Sequence, residues 1–172
     1  EQEGRVLVRS LEEAERAATR ADTRVPNLSS IMFLALADGK SMLLTGDGRG
    51  DHLLEGLEQA GLLDAGGKLH VDILKLPHHG SRHNTSKEVL RAITADRYVV
   101  SASGRYSHPS RQTLEWIAEV AREQGRQVEI AVTKRTKSVD QLLERYDPDE
   151  YGYCVTEMPH GAHALVLELG GA

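Results

Sequence analysis

The chain has 172 residues, 40% hydrophobic and 27% charged, a balance that excludes a disordered segment. With 21 Lys and Arg against 26 Asp and Glu, its formal charge of −5 excludes the basic footprint of a strong non-specific nucleic-acid binder. The lone cysteine, Cys154, excludes an intrachain disulfide, and no apolar run approaches the roughly 18 residues a membrane span requires.

Aromatic residues are scarce, so the core is expected to be built from Leu, Val, Ile and Ala. The N-terminus is polar and begins without Met, as expected of a trimmed chain or a fragment, and cytoplasmic is the default location. A single domain is expected over 1–172, with residues 1–26 as an N-terminal helix, capped by Ser10, and a linker broken at Pro26 and Asn27.

Next come two apolar runs, 31–37 and 41–45, joined by Asp38-Gly39, which reads as a hairpin ending at Gly46-Asp47. Residues 51–63 repeat Leu at helical spacing, with Asp51 as the N-cap. A strand over 69–76 stops at Pro77-His78-His79-Gly80, and a helix over 86–93 starts from Thr85 or Ser86. A strand follows at 97–102, then a long amphipathic helix capped by Ser110 and ended by Gly125. Residues 128–133 read as a strand and 138–146 as a short helix or extended insert. The chain closes with two strands, CVTEM and HALVLEL. Alternating strands and helices give an α/β class, in which chemistry collects in loops at strand ends.

Three such loops each put a metal-capable side chain just past a strand end. These are Thr45-Gly46-Asp47, Pro77-His78-His79-Gly80-Ser81 and Ser107-His108-Pro109. The two oxygens of Asp47 could bridge a pair of divalent cations, and the imidazoles of His78 and His79 suit Zn and other borderline metals. Two ions about 3.5–4 Å apart can share a bridging hydroxide and clamp a phosphoester oxygen. Singly, each residue has a plainer reading: Asp47 as a turn or cap, the His pair as a surface or capping element, and His108 as a loop histidine satisfied by backbone. His52, His70, His83, His160 and His163 lack supporting spacing and read as solvated or structural.

Taken in order, NLSSIMFLALADGKSMLLTGD, VDILKLPHHGSRHNTSKEVLRAI and RYVVSASGRYSHPSRQTL resemble the second half of the metallo-β-lactamase superfamily. More narrowly, they resemble the hydrolase domain of bacterial competence (DNA-uptake) proteins and its soluble relatives. The blocks cover about half the chain, and HHGS after an apolar strand is the most specific of them.

The resemblance implies an αββα sandwich, of which this chain is the C-terminal half, with a two-metal site on its rim. It implies Asp47 as the carboxylate bridging both ions, and His79 as a late ligand of one. His78 is implied as a second ligand or a substrate contact. His108, with Ser107 in place of the family's usual glycine, is implied to contact substrate or orient a ligand. Ser81 and Thr85 become hydrogen-bonding neighbours, Ser81 toward the substrate. Asn27, Ser29 and Ser30 fall where other branches carry another His ligand.

The superfamily's upstream His-rich motif has no counterpart in residues 1–26, which contain no histidine. A dinuclear site needs about six to eight protein ligands, more than one Asp and two or three His supply. The implied function is a metal-dependent hydrolase of phosphoesters or phosphodiesters, using two divalent ions, Zn or Mn, with further ligands from an N-terminal half. Its substrate would be a phosphorylated small molecule or nucleic acid. Pairing with that half, or homodimerisation, would cover the sheet face the missing half leaves open. The alternative is a non-catalytic binding or regulatory module on the same fold.

Overall fold

A computed structural model describes residue 27 and residues 29–169. The N-terminal helix and linker expected over residues 1–26 lie outside the described residues. Six strands form one mixed sheet: β1 (Phe33–Ala37), β2 (Lys40–Leu44), β3 (Leu69–Lys75), β4 (Ile93–Val100), β5 (Val128–Val132) and β6 (Tyr153–Glu157). Their spatial order is their order in the chain, with β1 antiparallel to β2 and every later pair parallel. The β1–β2 turn falls on Asp38 and Gly39, both at positive φ (48° and 72°), as a two-residue primed turn demands.

Parallel neighbours require crossovers, and helices supply them. They are α1 (Gly50–Gln59), α2 (Lys87–Ala92), α3 (Arg111–Glu123), and α4 (Lys137–Arg145) followed by the one-turn α5 (Pro148–Tyr151). Because crossovers are right-handed and always advance in one direction, successive helices fall on one face. The register agrees. Leu34, Leu43, Leu74, Tyr98, Ile130 and Val155 stand in a row across all six strands. That row packs with Leu53 and Leu57 of α1, Leu90 of α2, Leu114 and Ile117 of α3 and Leu142 of α4 in one core.

The opposite face carries the row Ala35, Met42, Ile73, Arg97, Glu129 and Cys154. It is more polar and is crossed by an Arg97–Glu129 ion pair. The fold is therefore an α/β sheet with helices on one side.

Local details depart from the sequence reading in three places, and one open choice is decided. Asp51 is not the N-cap of α1; that position is Arg49, and Asp51 sits in the first turn gripping the Arg49 guanidinium at 3.0 and 2.6 Å. Ser110 occupies the N-cap of α3, but its hydroxyl accepts from Arg82 N instead of from the helix. Residues 137–145 resolve the open choice in favour of a helix. HALVLEL forms no strand: past β6 the chain is irregular, and the Glu168 carbonyl accepts from the Arg97 guanidinium, which draws this segment over the open face and away from the sheet edge. Ser86, one of the two cap candidates, does cap α2, accepting from Val89 N at 3.3 Å. Among the described residues no helix is long and apolar enough to cross a membrane.

Register between β2 and β3 is pinned next to the start of their pairing by one carboxylate. Asp72 accepts from both the backbone N–H and the hydroxyl of Ser41, which in turn accepts from Asp72 N, and Lys40 lies 3.3 Å away. These bonds, led by the Ser41 N–H, hold the Asp72 carboxyl down at about 2. A depressed carboxyl contributes stability above its unfolded pKa of about 4 and loses it as pH falls through the folded value. Wild type should therefore lose stability between pH 4 and 2 by more than Asp72→Asn does; parallel melting curves for the two over this window would refute the clamp. In the core, Leu114 is fully buried. Leu114→Ala should cost about 2–5 kcal/mol in urea unfolding, and a cost under 1 kcal/mol would contradict its place there.

Candidate active site

The loops singled out in the sequence all leave the carboxyl ends of parallel strands, at one edge of the sheet. Thr45 closes β2 by donating its hydroxyl to the Lys75 carbonyl at 2.6 Å. Past it, Asp47 is half-buried, its N–H donating to the Ser30 hydroxyl at 3.0 Å. Its carboxylate acts on Lys75 at the end of β3. Burial pulls the Lys75 ammonium below its ordinary pKa, and the Asp47 charge opposes that pull.

After β3 the backbone does something unusual. His78 (φ 45°, ψ 49°), His79 (φ 57°, ψ 26°) and Gly80 (φ 80°) are left-handed in succession. Left-handed non-glycine residues cost of order 1 kcal/mol or more each and persist where surrounding contacts dictate them. Those contacts are visible. His78 N–H donates to the Gly46 carbonyl at 2.9 Å and its ring is buried. Gly80 presses on the next loop: a Cβ here would sit 2.9 Å from Pro109 Cβ, while the Gly80 carbonyl accepts from Ser110 N at 3.0 Å. Alanine would meet both the clash and the disfavoured φ.

The hub of this arrangement is Asn84, which is fully buried. Its amide nitrogen donates to the Asp47 and Gly48 carbonyls at 3.1 and 3.2 Å, which fixes its orientation. Its oxygen therefore faces His78 Nδ1 at 3.1 Å and accepts the proton there, placing the imidazole lone pair on Nε2. The Asn27 amide, at 3.3 Å, is the longer contact to the same nitrogen. His79 is tautomerised in the same sense by a different partner. Its Nδ1 donates to the Ser101 carbonyl at 2.6 Å, leaving the ligand-capable or proton-accepting Nε2 on the exposed side. The His108 ring lies 5.3 Å from that of His78.

His79 and His108 line one cavity of about 490 Å³, together with Arg105, Tyr106, Thr133 and Lys134. Asp47 and His78 are not among its lining residues. Ser81 is buried, its N–H donating to the His78 carbonyl and its hydroxyl accepting from His83 N, so it braces the loop and is not part of the cavity lining. Thr85 is likewise buried. His70, exposed between Thr94 and Asp96, is a surface histidine. The sequence reading did not single out Asn84, Arg105 or Lys134. Asn84 stands in a polar stretch that reads as surface, and no local signal marks it; the basic pair TKR after a strand end could have flagged Lys134.

Among the described residues no group of three or more His, Cys, Asp and Glu side chains is placed to hold a metal ion. Asp47, His78 and His79 thus do not make a self-sufficient metal centre. A dinuclear site here would need ligands from outside these residues.

No protein-family model matches the chain, and no solved structure matches it. One curated relative does: ComE operon protein 3 of Bacillus subtilis is 29% identical over 96 residues, which is 55% of this chain and 12% of that protein. The chain thus spans about an eighth of its relative's length, and the similarity is distant and partial.

Proposed function

We propose that this chain forms one part of a phosphoester-hydrolysing site of the metallo-β-lactamase kind. The remaining ligands for a pair of divalent ions, Zn or Mn, would come from protein outside the residues described. The observation that carries this reading is His79. Its ring is fixed by the Ser101 carbonyl on a strained, over-determined loop, with Nε2 toward a cavity whose other walls include Arg105 and Lys134. Backbone strain held at a strand end against an open cavity is a mark of a functional site. Two cations without an acidic lining residue suit an anionic substrate such as a phosphoester. The partial likeness to ComE operon protein 3 supports the same family.

Within this reading the chain's own residues have separable tasks. Asp47 offers a carboxylate to bridge ions, with Asn84 fixing its backbone; His79 offers Nε2 to one ion; His108 contacts substrate from the facing loop. The second reading, a binding module without catalysis, is favoured by the absence of a three-ligand group among the described residues.

Elemental analysis separates the two. The longest natural form containing this chain should hold two equivalents of metal, and this chain alone none; no metal in either would reject the hydrolase. In that long form, Asp47→Ala should abolish both metal bridging and phosphodiester turnover, so retained turnover at unchanged metal content would refute its role. His79→Ala should empty one metal position before the other, and an unaltered two-metal stoichiometry would remove it from the ligand set. His108→Ala should slow turnover about 10²-fold with metal content intact; metal loss in that variant would make it a ligand.

A further inference from the structure

Just past β6 stands Pro159, which has no N–H to carry a ladder further. Met158 still bonds to β5, its N–H donating to the Val132 carbonyl at 3.0 Å. A turn from Pro159 to Ala162, closed by a 3.0 Å bond and carrying Gly161 at φ 81°, then diverts the chain from the sheet edge. The residues that follow, 163–169, lie over the face opposite the helices.

This segment has the side-chain order of a strand without a strand's hydrogen bonds. Leu165, Leu167 and Leu169 are half-buried, while Ala164, Val166 and Glu168 between them are exposed, Val166 to 79%. A two-residue period of that kind belongs to an extended chain lying on a surface. Among the described residues, no strand includes 163–169 and no backbone–backbone hydrogen bond joins it to the sheet. Its polar tie is the Glu168 carbonyl, which accepts from the Arg97 guanidinium at 3.3 Å.

The face itself is partly apolar. Ile73 and Ala131 point away from the helices and take no part in the helical core, yet both are buried. Ile73 stands beside Arg97 in the β3–β4 register, next to the point where the segment is tied. Glu129 of β5 holds the Arg97 guanidinium by its Nε, which leaves a terminal nitrogen for a main-chain carbonyl. A main-chain bond accepts any sequence, whereas apolar contacts at alternate positions select a pattern.

We infer that the open face is a docking site for an extended segment with leucines at alternate positions, and that residues 163–169 are its resident, displaceable occupant. Anchored by half-buried side chains and the Glu168 carbonyl, the segment leaves without breaking a ladder. A partner strand of the same pattern takes its place only after the resident has been evicted. The chain thus carries its own competitor, which lowers a partner's apparent affinity by the fraction of molecules whose face is free. Such docking is independent of the proposed hydrolysis and needs neither metal nor turnover.

The test is fluorescence anisotropy of a labelled peptide with the sequence of residues 162–169, titrated with the full chain. Leu167→Asp in the chain should dislodge the resident and tighten peptide binding at least about 10-fold, as expected where the resident fills the face in about nine molecules of ten. Leu165→Asp should do the same. Val166→Asp, on the solvent side, should leave binding at the wild-type level, and a peptide carrying Leu167→Asp should not bind. Far-UV circular dichroism of the chain variants should match wild type, because the segment belongs to no strand; a lost strand signal would contradict a displaceable occupant. Equal peptide binding by wild type and Leu167→Asp would seat the peptide elsewhere, as on the outer edge of β1, and would overturn the site. Val166→Asp acting as strongly as Leu167→Asp would overturn the orientation on which the docking rests.

Discussion

One buried amide holds the candidate site in shape. Asn84 uses its donors on the backbone after β2 and its acceptor on the imidazole after β3, so two loops from different strands are set by a single side chain. An unsatisfied buried polar group costs about 1–3 kcal/mol, and here every partner is itself buried or half-buried. The left-handed run at His78 and His79 is sustained by such contacts. Remove the amide and the strain in the loop has less to oppose it. The third loop is tied in by a different device, the close fit of Gly80 against Pro109 together with the Ser110 N–H bond. Polar satisfaction on one side and steric fit on the other thus hold three loops together at one edge of the sheet, and two of them line the cavity.

The sheet explains why these loops meet at all. Parallel strands taken in sequence send every carboxyl end to the same edge, and one-handed crossovers place the helices on one face. The other face, with its Arg97–Glu129 pair and the carbonyl of Glu168 laid over it, is chemically distinct. The helical face carries a mainly aliphatic core into which Tyr98, Trp116 and Tyr153 are also buried.

Much of this was legible in the sequence, for reasons that differ by element. Asp38-Gly39 names its turn because only residues tolerant of positive φ fit there, and Leu spacing marks α1 because one face must be buried. The HHG segment could be recognised as a loop of interest, but not as three left-handed residues; its geometry comes from tertiary contacts that no local propensity encodes. HALVLEL shows the limit of alternation, which assigns faces but cannot supply a neighbouring strand. The cap of α1 went to Arg49 in place of Asp51 because the carboxylate was better used as an ion-pair partner within the first turn. Among site residues, Asp47, His79 and His108 carried signals in their motifs, whereas Asn84 matters through what surrounds it in space.

The identity of spatial and chain order among the strands bears on how the domain is made. Each strand from β2 onward pairs with the one synthesised just before it, so the sheet can lengthen one β–α unit at a time as the chain emerges. No strand must wait for a distant partner to be inserted between two others, which keeps loop-closure costs short-ranged. The edge that carries the candidate site assembles in the same progression: the Asp47 loop first, then the histidine pair, then the His108 turn, and last Lys134 after β5. Each loop arrives against a neighbour already in position to receive it.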